Sequence, residues 1–538
     1  GGLGGTCVNV GCVPKKVMWN AAFCKEMIHQ AEGYGYTVGE TTLSMPALKK
    51  KRDDYVKRLN GIYKNNLGNS DVDFVEGDAS FVSANVVQAA GKTYTAPNVL
   101  IAVGGKPRMP EMPGIEHAIS SDGFFELEEV PKKVAVIGCG TMGRGIAMSF
   151  ASAGFPVTVL EQSHDALDNG LAAAKKTYEG SVKRGRITQE EADACMARFT
   201  GTVDYGDLKD ADIVIEAVFE DMKIKKQVFG QLDAVCKPGA ILATNTSSLD
   251  VDEIANSTTR PADVVGTHFF SPANIMKLME NVRGKATSPE VQATVMKLSK
   301  DIGKVGVMVG VCDGFVGNRM LYRYRSQAEF LLEEGALPEQ IDKVIYDFGF
   351  PMGPFAMGDL AGLDVGYMVR KHRRENFPAN DRYSSTIADR IVEMGRHGQK
   401  NGMGWYKYAE GSRTPEPDPE IAKLVESVSA EMGITRRDVT DQEIMERCMY
   451  TLINEGAKIL EEGIATRPSD IDLVWVHGYG YPIGKGGPMF FADLTGVDKI
   501  HETMKRLHDA HGDLLRPAAL LEELAMSGKS FADYQSKK

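Results

Sequence analysis

The sequence predicts an α/β chain that turns all-α: a parallel-sheet domain, then two duplicated helical domains, with a smaller α/β segment ahead of them. Three observations carry this. From Lys133 onward, strand-like and helix-like runs alternate as Val134–Ile137, Arg144–Ala153, Val157–Leu160, Asp212–Ala217 and Ala240–Thr244. That is the rhythm of a parallel sheet with crossover helices. After about Asp313 strands almost vanish and helical periodicity runs to the end. The helical part also repeats. Leu331-Leu332-Glu333-Glu334-Gly335 is answered by Ile459-Leu460-Glu461-Glu462-Gly463, Phe348-Gly349-Phe350-Pro351 by Tyr479-Gly480-Tyr481-Pro482, and Asp359-Leu360-Ala361-Gly362-Leu363-Asp364 by Asp493-Leu494-Thr495-Gly496-Val497-Asp498. Two copies are too few for a solenoid, so a packed pair of domains is expected. The boundaries read as 1–131, 132–310, 311–415 and 416–538.

The length of 538 residues allows three or four domains, and 43% apolar with 25% charged residues is a globular composition. No uninterrupted apolar run reaches the roughly 18 residues of a membrane helix, so no membrane partner is expected. The net charge is −11 and neither side of Pro131 is basic, which argues against nucleic acid. Eight scattered cysteines do not form a secreted disulfide framework, and a reducing compartment follows. The chain opens Gly-Gly-Leu-Gly-Gly without a secretory signal and reads as beginning inside a structural unit.

In the first segment, Lys15 to Asn66 is helical in pattern, with a turn-rich interruption near Gly33 to Ser44. Strands are expected at Val72–Glu76, Val86–Ala89 and Val99–Val103, and Pro107, Pro110, Pro113 and Pro131 mark an irregular connection.

The apolar strand Val134–Ile137 runs into Gly138-Cys139-Gly140-Thr141-Met142-Gly143 and then a helix. Gly138 permits the tight turn, Gly140 lets backbone approach a pyrophosphate, and Gly143 lets helix pack on strand. The next strand ends in Glu161, placed to accept from an adenosine ribose hydroxyl. Alone, the glycines would fit a turn in any α/β domain. With strand, helix, strand and acid in order they predict a Rossmann domain binding NAD, since Glu161 would repel a 2′-phosphate and Gln162 and Ser163 offer no arginine.

Thr244-Asn245-Thr246-Ser247-Ser248 and Gly266-Thr267-His268-Phe269-Phe270-Ser271-Pro272, running on to Glu280, are the other chemical stretches. His268 follows the apolar pair Val264-Val265 at the end of a short buried strand. A histidine there is more often structural than catalytic. Ligands of open α/β sheets, however, sit at the carboxyl ends of strands, where Ser247 and His268 both fall. A histidine with a carboxylate partner suits general-base work.

With these motifs, residues 133–538 resemble the L-3-hydroxyacyl-CoA dehydrogenases, and most the dehydrogenase half of bifunctional enoyl-CoA hydratase/3-hydroxyacyl-CoA dehydrogenases. Glu216-Ala217-Val218-Phe219-Glu220-Asp221, Gly314-Phe315-Val316-Gly317-Asn318-Arg319 and Gly353-Pro354-Phe355 carry the resemblance further. It implies an acyl-CoA substrate, NAD, and a place in fatty-acid β-oxidation. It also implies His268 as base, Glu280 as its partner, and Ser247 and Asn318 as the pair that positions and polarises the substrate oxygen. Glu220, Lys225 and Lys400 fall where the family contacts NAD. Asn318 alone would read as a helix cap or turn residue; its context reverses that. The repeat sets Asn318 against Glu446, so the second copy is expected to keep the scaffold without the amide, covering the first copy and shaping the acyl groove.

Thr6-Cys7-Val8-Asn9-Val10-Gly11-Cys12-Val13-Pro14-Lys15-Lys16 is a second motif. Two cysteines five apart that open a helix can form a disulfide, and a helix N-terminus lowers thiol pKa. No second Cys/His pair lies nearby, so no metal site is expected. With Tyr94-Thr95-Ala96-Pro97, Leu100-Ile101-Ala102-Val103-Gly104-Gly105 and Ser121-Asp122-Gly123-Phe124-Phe125, residues 3–130 resemble glutathione reductase in the pyridine nucleotide-disulfide oxidoreductase family. That implies an incomplete α/β flavoprotein-type fragment, with Cys7 and Cys12 as the redox pair and Lys15 by a flavin. The family's FAD phosphate turn, NADPH domain and interface histidine have no counterpart, and Val103 replaces its usual Thr. FAD is therefore not expected, and a non-catalytic appendage is favoured over a disulfide reductase. The two resemblances meet at Pro131-Lys132-Lys133, like a chimera joined at an analogous strand. The dehydrogenase part is expected as monomer or homodimer. The cytoplasm is the expected location, with the peroxisome second, since Gln535-Ser536-Lys537-Lys538 falls short of Ser-Lys-Leu.

Overall fold

The structure is a computed structural model that describes residues 3, 5–31, 36–39, 41, 44–102, 133–376 and 385–535. The expected connection through Pro107, Pro110, Pro113 and Pro131, the stretches Val103-Gly104-Gly105 and Ser121–Phe125, half of the Gly33 to Ser44 interruption, and the final Ser536-Lys537-Lys538 lie outside these residues. The chain divides into two compact units, Gly1–Pro131 and Lys132–Lys538.

In the first unit, helices Gly5–Asn9, Cys12–Ala31 and Met45–Asn69 precede a three-stranded antiparallel sheet of Ala79–Ser83, Val86–Ala89 and Lys92–Thr95. The last two strands are joined by Ala90-Gly91, both at positive φ (49° and 75°), as a tight two-residue hairpin requires. Two expected strands are corrected. Val72–Glu76 forms no strand, and the first strand forms at Ala79–Ser83 instead. Val99–Ala102 is likewise unpaired, with Leu100 and Ile101 exposed. Both runs have strand composition but, among the described residues, no neighbour to pair with, and pairing rather than propensity makes a strand.

The second unit is built on an eight-stranded sheet among the described residues: β1 (Val134–Ile137), β2 (Val157–Leu160), β3 (Phe199–Thr202), β4 (Ile213–Glu216), β5 (Ile241–Thr244), β6 (Val264–Phe269), β7 (Leu278–Arg283) and β8 (Val305–Gly310). Its order is β8-β7-β6-β5-β4-β1-β2-β3, parallel except where β7 runs against β6. The helices among the strands are α1 (Thr141–Ser152), α2 (His164–Lys183), α3 (Gln189–Met196), α4 (Met222–Val235), α5 (Val251–Ala255) and α6 (Pro289–Asp301). β1 shows why the sheet is buried on both faces. Val134 and Val136 pack on one side with Ile146 and Phe150 of α1, while Ala135 and Ile137 pack on the other with Val228 and Phe229 of α4. Strand order reverses around β1, which opens a crevice at the strands' carboxyl ends.

The helical part comprises α7 (Gly317–Glu334), α8 (Pro338–Phe348), α9 (Pro354–Ala361), α10 (Leu363–Asn376), α11 (Ile387–Glu393), α12 (Pro419–Glu431), α13 (Asp441–Glu461), α14 (Pro468–Gly478), α15 (Pro488–Thr495), α16 (Val497–His511) and α17 (Ala519–Ser527). The two copies share one core, in which Met320, Tyr324 and Leu331 of α7 meet Leu452, Ile453 and Ile459 of α13. Equivalent carboxylates anchor equivalent turns. Asp342 accepts from the Phe355 and Ala356 amides, and Asp472 from those of Met489 and Phe490. The fold class is thus a Rossmann-type domain followed by a duplicated all-α part.

Candidate active site

The crevice is a cavity of about 1010 Å³, at the upper end of the range for small-molecule and cofactor sites. Its lining comes from the ends of β1, β2, β4, β5 and β6 and from both helical copies. Helices α2, α3, α4, α5 and α6 all open on a side chain that accepts from a first-turn amide: Ser163, Thr188, Asp221, Asp250 and Ser288. Helix α1 does not; its N-cap is Gly140. The first amides of α1 therefore remain available to an anion at the positive end of the helix. Gly138 has φ +93°, and a Cβ on Gly143 would stand 1.9 Å from the Gly138 carbonyl, so both glycines are sterically required. A Cβ on Gly140 would meet nothing within 4 Å, leaving open space in front of the turn, which fits a pyrophosphate. Gly138, Gly140, Thr141 and Met142 line the cavity, whereas Gly143 packs behind it. Glu161 lines the cavity at the end of β2, with its carboxylate accepting from the Cys139 amide (2.7 Å) and the Gln162 amide (2.9 Å).

His268 and Glu280 face each other because β6 and β7 pair antiparallel in a register that sets one directly opposite the other. Glu280 stands on a strand the sequence pattern did not reveal, and His268 lies within its strand rather than after it. His268 Nδ1 is 2.7 Å from Glu280 Oε2, and Glu280 is fully buried. That contact leaves Nε2 for the cavity, which His268 lines. Glu280 Oε1 accepts from the Gly317 amide at 3.0 Å, so the same carboxylate caps α7, which has no side-chain cap of its own. The approach to α7 runs through Phe315, a buried residue at φ +49°, whose ring lies 5.8 Å from that of His268. A phenylalanine is strained in this region, and the surrounding packing holds it there.

A second polar network runs from the sheet to Ser247. Glu216, fully buried, holds Lys225 at 2.7 Å and accepts from Thr244. Lys225, also fully buried, lies 3.3 Å from Glu220. Glu220 Oε1 accepts from Thr246 Oγ1 and from the Ser247 amide, both at 2.7 Å, and from Ser247 Oγ at 3.1 Å. Burial pushes the Glu220 carboxyl up, but Lys225 and these hydrogen bonds outweigh it and hold the group below its ordinary value. Glu220 reaches the cavity. Lys225 does not line it, nor does Lys400, which pairs with Asp364 at 2.5 Å beside the lining residue Val365.

Asn318, in the first turn of α7, joins the site from the helical part. Its Nδ2 lies 3.5 Å from the Ser247 carbonyl, and its Oδ1 accepts from the Tyr479 hydroxyl at 2.8 Å. Glu446, its counterpart, pairs instead with Arg506. The second copy therefore does more than cover the first: Tyr479 reaches the lining itself. Tyr479, Glu216 and Asn245, whose Oδ1 accepts from the Phe269 amide at 2.8 Å, were not among the expected site residues. For Tyr479 the signal was present in the repeat, where Tyr479 answers Phe348 and differs by one hydroxyl.

In the first unit, Cys7 and Cys12 are exposed free thiols on successive helices. A hydrogen bond with Cys12, ahead of other causes, holds the Cys7 thiol above its ordinary value, opposite to the lowering expected at a helix N-terminus. Lys15 follows one turn into the second helix.

Comparisons with known proteins match both parts of the chain. Residues 133–312 match the 3-hydroxyacyl-CoA dehydrogenase NAD binding domain, and residues 314–408 and 444–532 match the 3-hydroxyacyl-CoA dehydrogenase C-terminal domain, once for each helical copy. Residues 1–189 match pyridine nucleotide-disulphide oxidoreductase, overlapping the first match across β1, the glycine turn and β2. The peroxisomal bifunctional enzymes of Danio rerio and Homo sapiens are each 47% identical, over 74% and 73% of this chain and 56% of their own length. The chain thus spans about half the length of the curated relatives it matches. The crystal structure of the dehydrogenase part of multifunctional enzyme 1 from C. elegans is 33% identical, covering 73% of this chain and 90% of that one with a TM-score of 0.56. That of 3-hydroxybutyryl-CoA dehydrogenase from Escherichia coli is 29% identical, covering 74% and 100% with a TM-score of 0.65. With its glycine turn, its buried His–Glu pair and its duplicated helical part, the chain belongs to the 3-hydroxyacyl-CoA dehydrogenase family.

Proposed function

We propose that the chain oxidises (S)-3-hydroxyacyl-CoA to 3-oxoacyl-CoA with NAD, as a step of fatty-acid β-oxidation. The observation that carries this reading is the buried His268–Glu280 pair opening into the same cavity as the uncapped helix α1. His268 Nε2 takes the proton of the C3 hydroxyl. Glu280 fixes the imidazole through Nδ1 and stabilises the imidazolium that forms. Asn318 Nδ2 donates to the substrate oxygen as it gains negative charge, and the Ser247 hydroxyl joins it by turning its one proton from Glu220 to that oxygen. Gly138, Gly140 and the first amides of α1 hold the dinucleotide, Glu161 accepts from its ribose, and Glu220 borders it with Lys225 behind. Bound there, NAD supplies the hydride acceptor for C3. The test is NADH formation by the purified chain with (S)-3-hydroxybutyryl-CoA and longer homologues. Absence of NADH with every 3-hydroxyacyl-CoA overturns the reading.

The proposed compartment is the peroxisome, the second of the two sequence-based expectations, because the relatives' names support it; imaging of a tagged chain checks this. For residues 1–131 the proposal is a non-catalytic appendage without FAD. The helix Cys12–Ala31 leaves Trp19, Phe23 and Met27 exposed at helical spacing, and every residue of the strand Ala79–Ser83 is exposed, which is surface left without packing rather than a cofactor pocket. A yellow protein with stoichiometric flavin absorbance contradicts it.

A further inference from the structure

Tyr479 follows the last turn of α14, in the second helical copy, yet it is half-buried against the first. A Cβ on Gly317 would come within 2.4 Å of its ring, Trp475 stacks on it at 4.7 Å, and Phe270 meets it edge-on at 5.5 Å. Its hydroxyl donates to Asn318 Oδ1 at 2.8 Å. The two ends of an asparagine amide are nearly the same shape, so partners decide which way it points. Here both partners agree. The Ser247 carbonyl can only accept, so it takes the Nδ2 side; the Tyr479 hydroxyl then donates to Oδ1 and leaves no buried proton unpaired. Burial holds the phenol well above its ordinary value, so it stays a donor at every working pH.

We infer that Tyr479 is a positioning residue for the dehydrogenase reaction: its hydroxyl locks the Asn318 amide so that Nδ2–H faces the substrate oxygen. The inference builds on the proposed dehydrogenase activity. Donor and acceptor sit on opposite copies. The first copy keeps the amide and has Phe348 where the hydroxyl would be; the second keeps the hydroxyl and has Glu446 where the amide would be. Duplication has thus divided one working pair between two halves.

The experiment compares the full chain with Tyr479→Phe, Asn318→Ala and the double variant, using (S)-3-hydroxybutyryl-CoA. Tyr479→Phe keeps the ring and its packing, and is expected to lower kcat roughly tenfold, the scale of one hydrogen bond. The KM for NAD and the melting temperature should stay at parental values. Asn318→Ala should lose more, and adding Tyr479→Phe to it should cost nothing further, because the hydroxyl acts through the amide. A parental kcat in Tyr479→Phe overturns the inference, as do losses that multiply in the double variant. A parent that forms no NADH overturns the dehydrogenase reading instead, so the two failures are distinguishable.

Discussion

Arg319 and Arg447 stand 128 residues apart at equivalent positions of α7 and α13, and each reaches across to the other's helix. Arg319 binds Glu455 at 2.7 Å and grips Glu462 with two nitrogens; Arg447 binds Gln327 at 3.1 Å and Glu334 at 2.7 Å. Gln327 and Glu455 are themselves equivalent, as are Glu334 and Glu462. The loops that follow repeat the exchange, since a Cβ on Gly349 would meet Pro482 and one on Gly480 would meet Pro351. The copies therefore pack about an approximate two-fold axis, with Asn318 beside one arginine and Glu446 beside the other.

Arg447 is almost fully buried, whereas Arg319 retains more solvent contact. Breaking a buried pair from one side leaves an uncompensated charge and costs roughly 3 kcal/mol or more. Arg447→Met is expected to lower the unfolding free energy, read by urea titration, by that order while kcat of the folded enzyme holds. Arg319→Met should cost less stability but also lower kcat, because Asn318 is its neighbour. Equal stability losses with unchanged kcat in both variants would contradict this division.

Cofactor choice is expected to lie with Glu161. Replacing it with Ala removes both the ribose acceptor and the charge that repels a 2′-phosphate, so the ratio of kcat/KM for NAD over NADP should fall. The same change removes the contact to the Cys139 amide, so KM for NAD should also rise. An unchanged ratio would assign ribose reading to another residue.

Much of this site was legible in the sequence, for physical reasons that can be named. The glycine turn showed because steric necessity restricts Gly138 and Gly143 to glycine, and β1 and β2 showed because strands buried on both faces are continuous apolar runs. β7 did not, since Leu278-Met279-Glu280-Asn281 mixes buried charge with apolar residues, and only the pairing with β6 makes it a strand. Lys225 was legible as important but not in its role, because its partner Glu216 comes from a different element. Val72–Glu76 and Val99–Ala102 had the composition of strands but no partners among the described residues, which composition alone does not reveal.

The second helical copy should lose stability as pH rises. Burial, ahead of other causes, pushes the Asp472 carboxyl up to about 7, and Asp342 in the first copy up to about 6. The folded state thus binds these protons more tightly than the unfolded chain does. Their contribution is complete below about pH 4 and is lost as pH climbs through about 6 to 7. Asp472→Asn keeps an acceptor for the Met489 amide and removes the charge, so its melting temperature should gain on the parent between about pH 5 and pH 8. A constant difference across that range would contradict the assignment.

The Cys7 and Cys12 thiols lie in the first unit, apart in sequence from every residue lining the cavity. A Cys7→Ser/Cys12→Ser variant is expected to form NADH from (S)-3-hydroxybutyryl-CoA at the parental rate, with or without added reductant. A fall in kcat would show that the pair bears on hydride transfer.

The most direct test of the account is turnover of His268→Gln and of Glu280→Gln, with NAD affinity titrated on the same samples. The base and its partner lie on β6 and β7, whereas the glycine turn and Glu161 lie on β1 and β2. Removing a positioned base typically costs about 10²–10⁴ in rate. A loss of that size in kcat is expected for both variants, with NAD binding within about twofold of the parent. Near-parental turnover in either variant would contradict it.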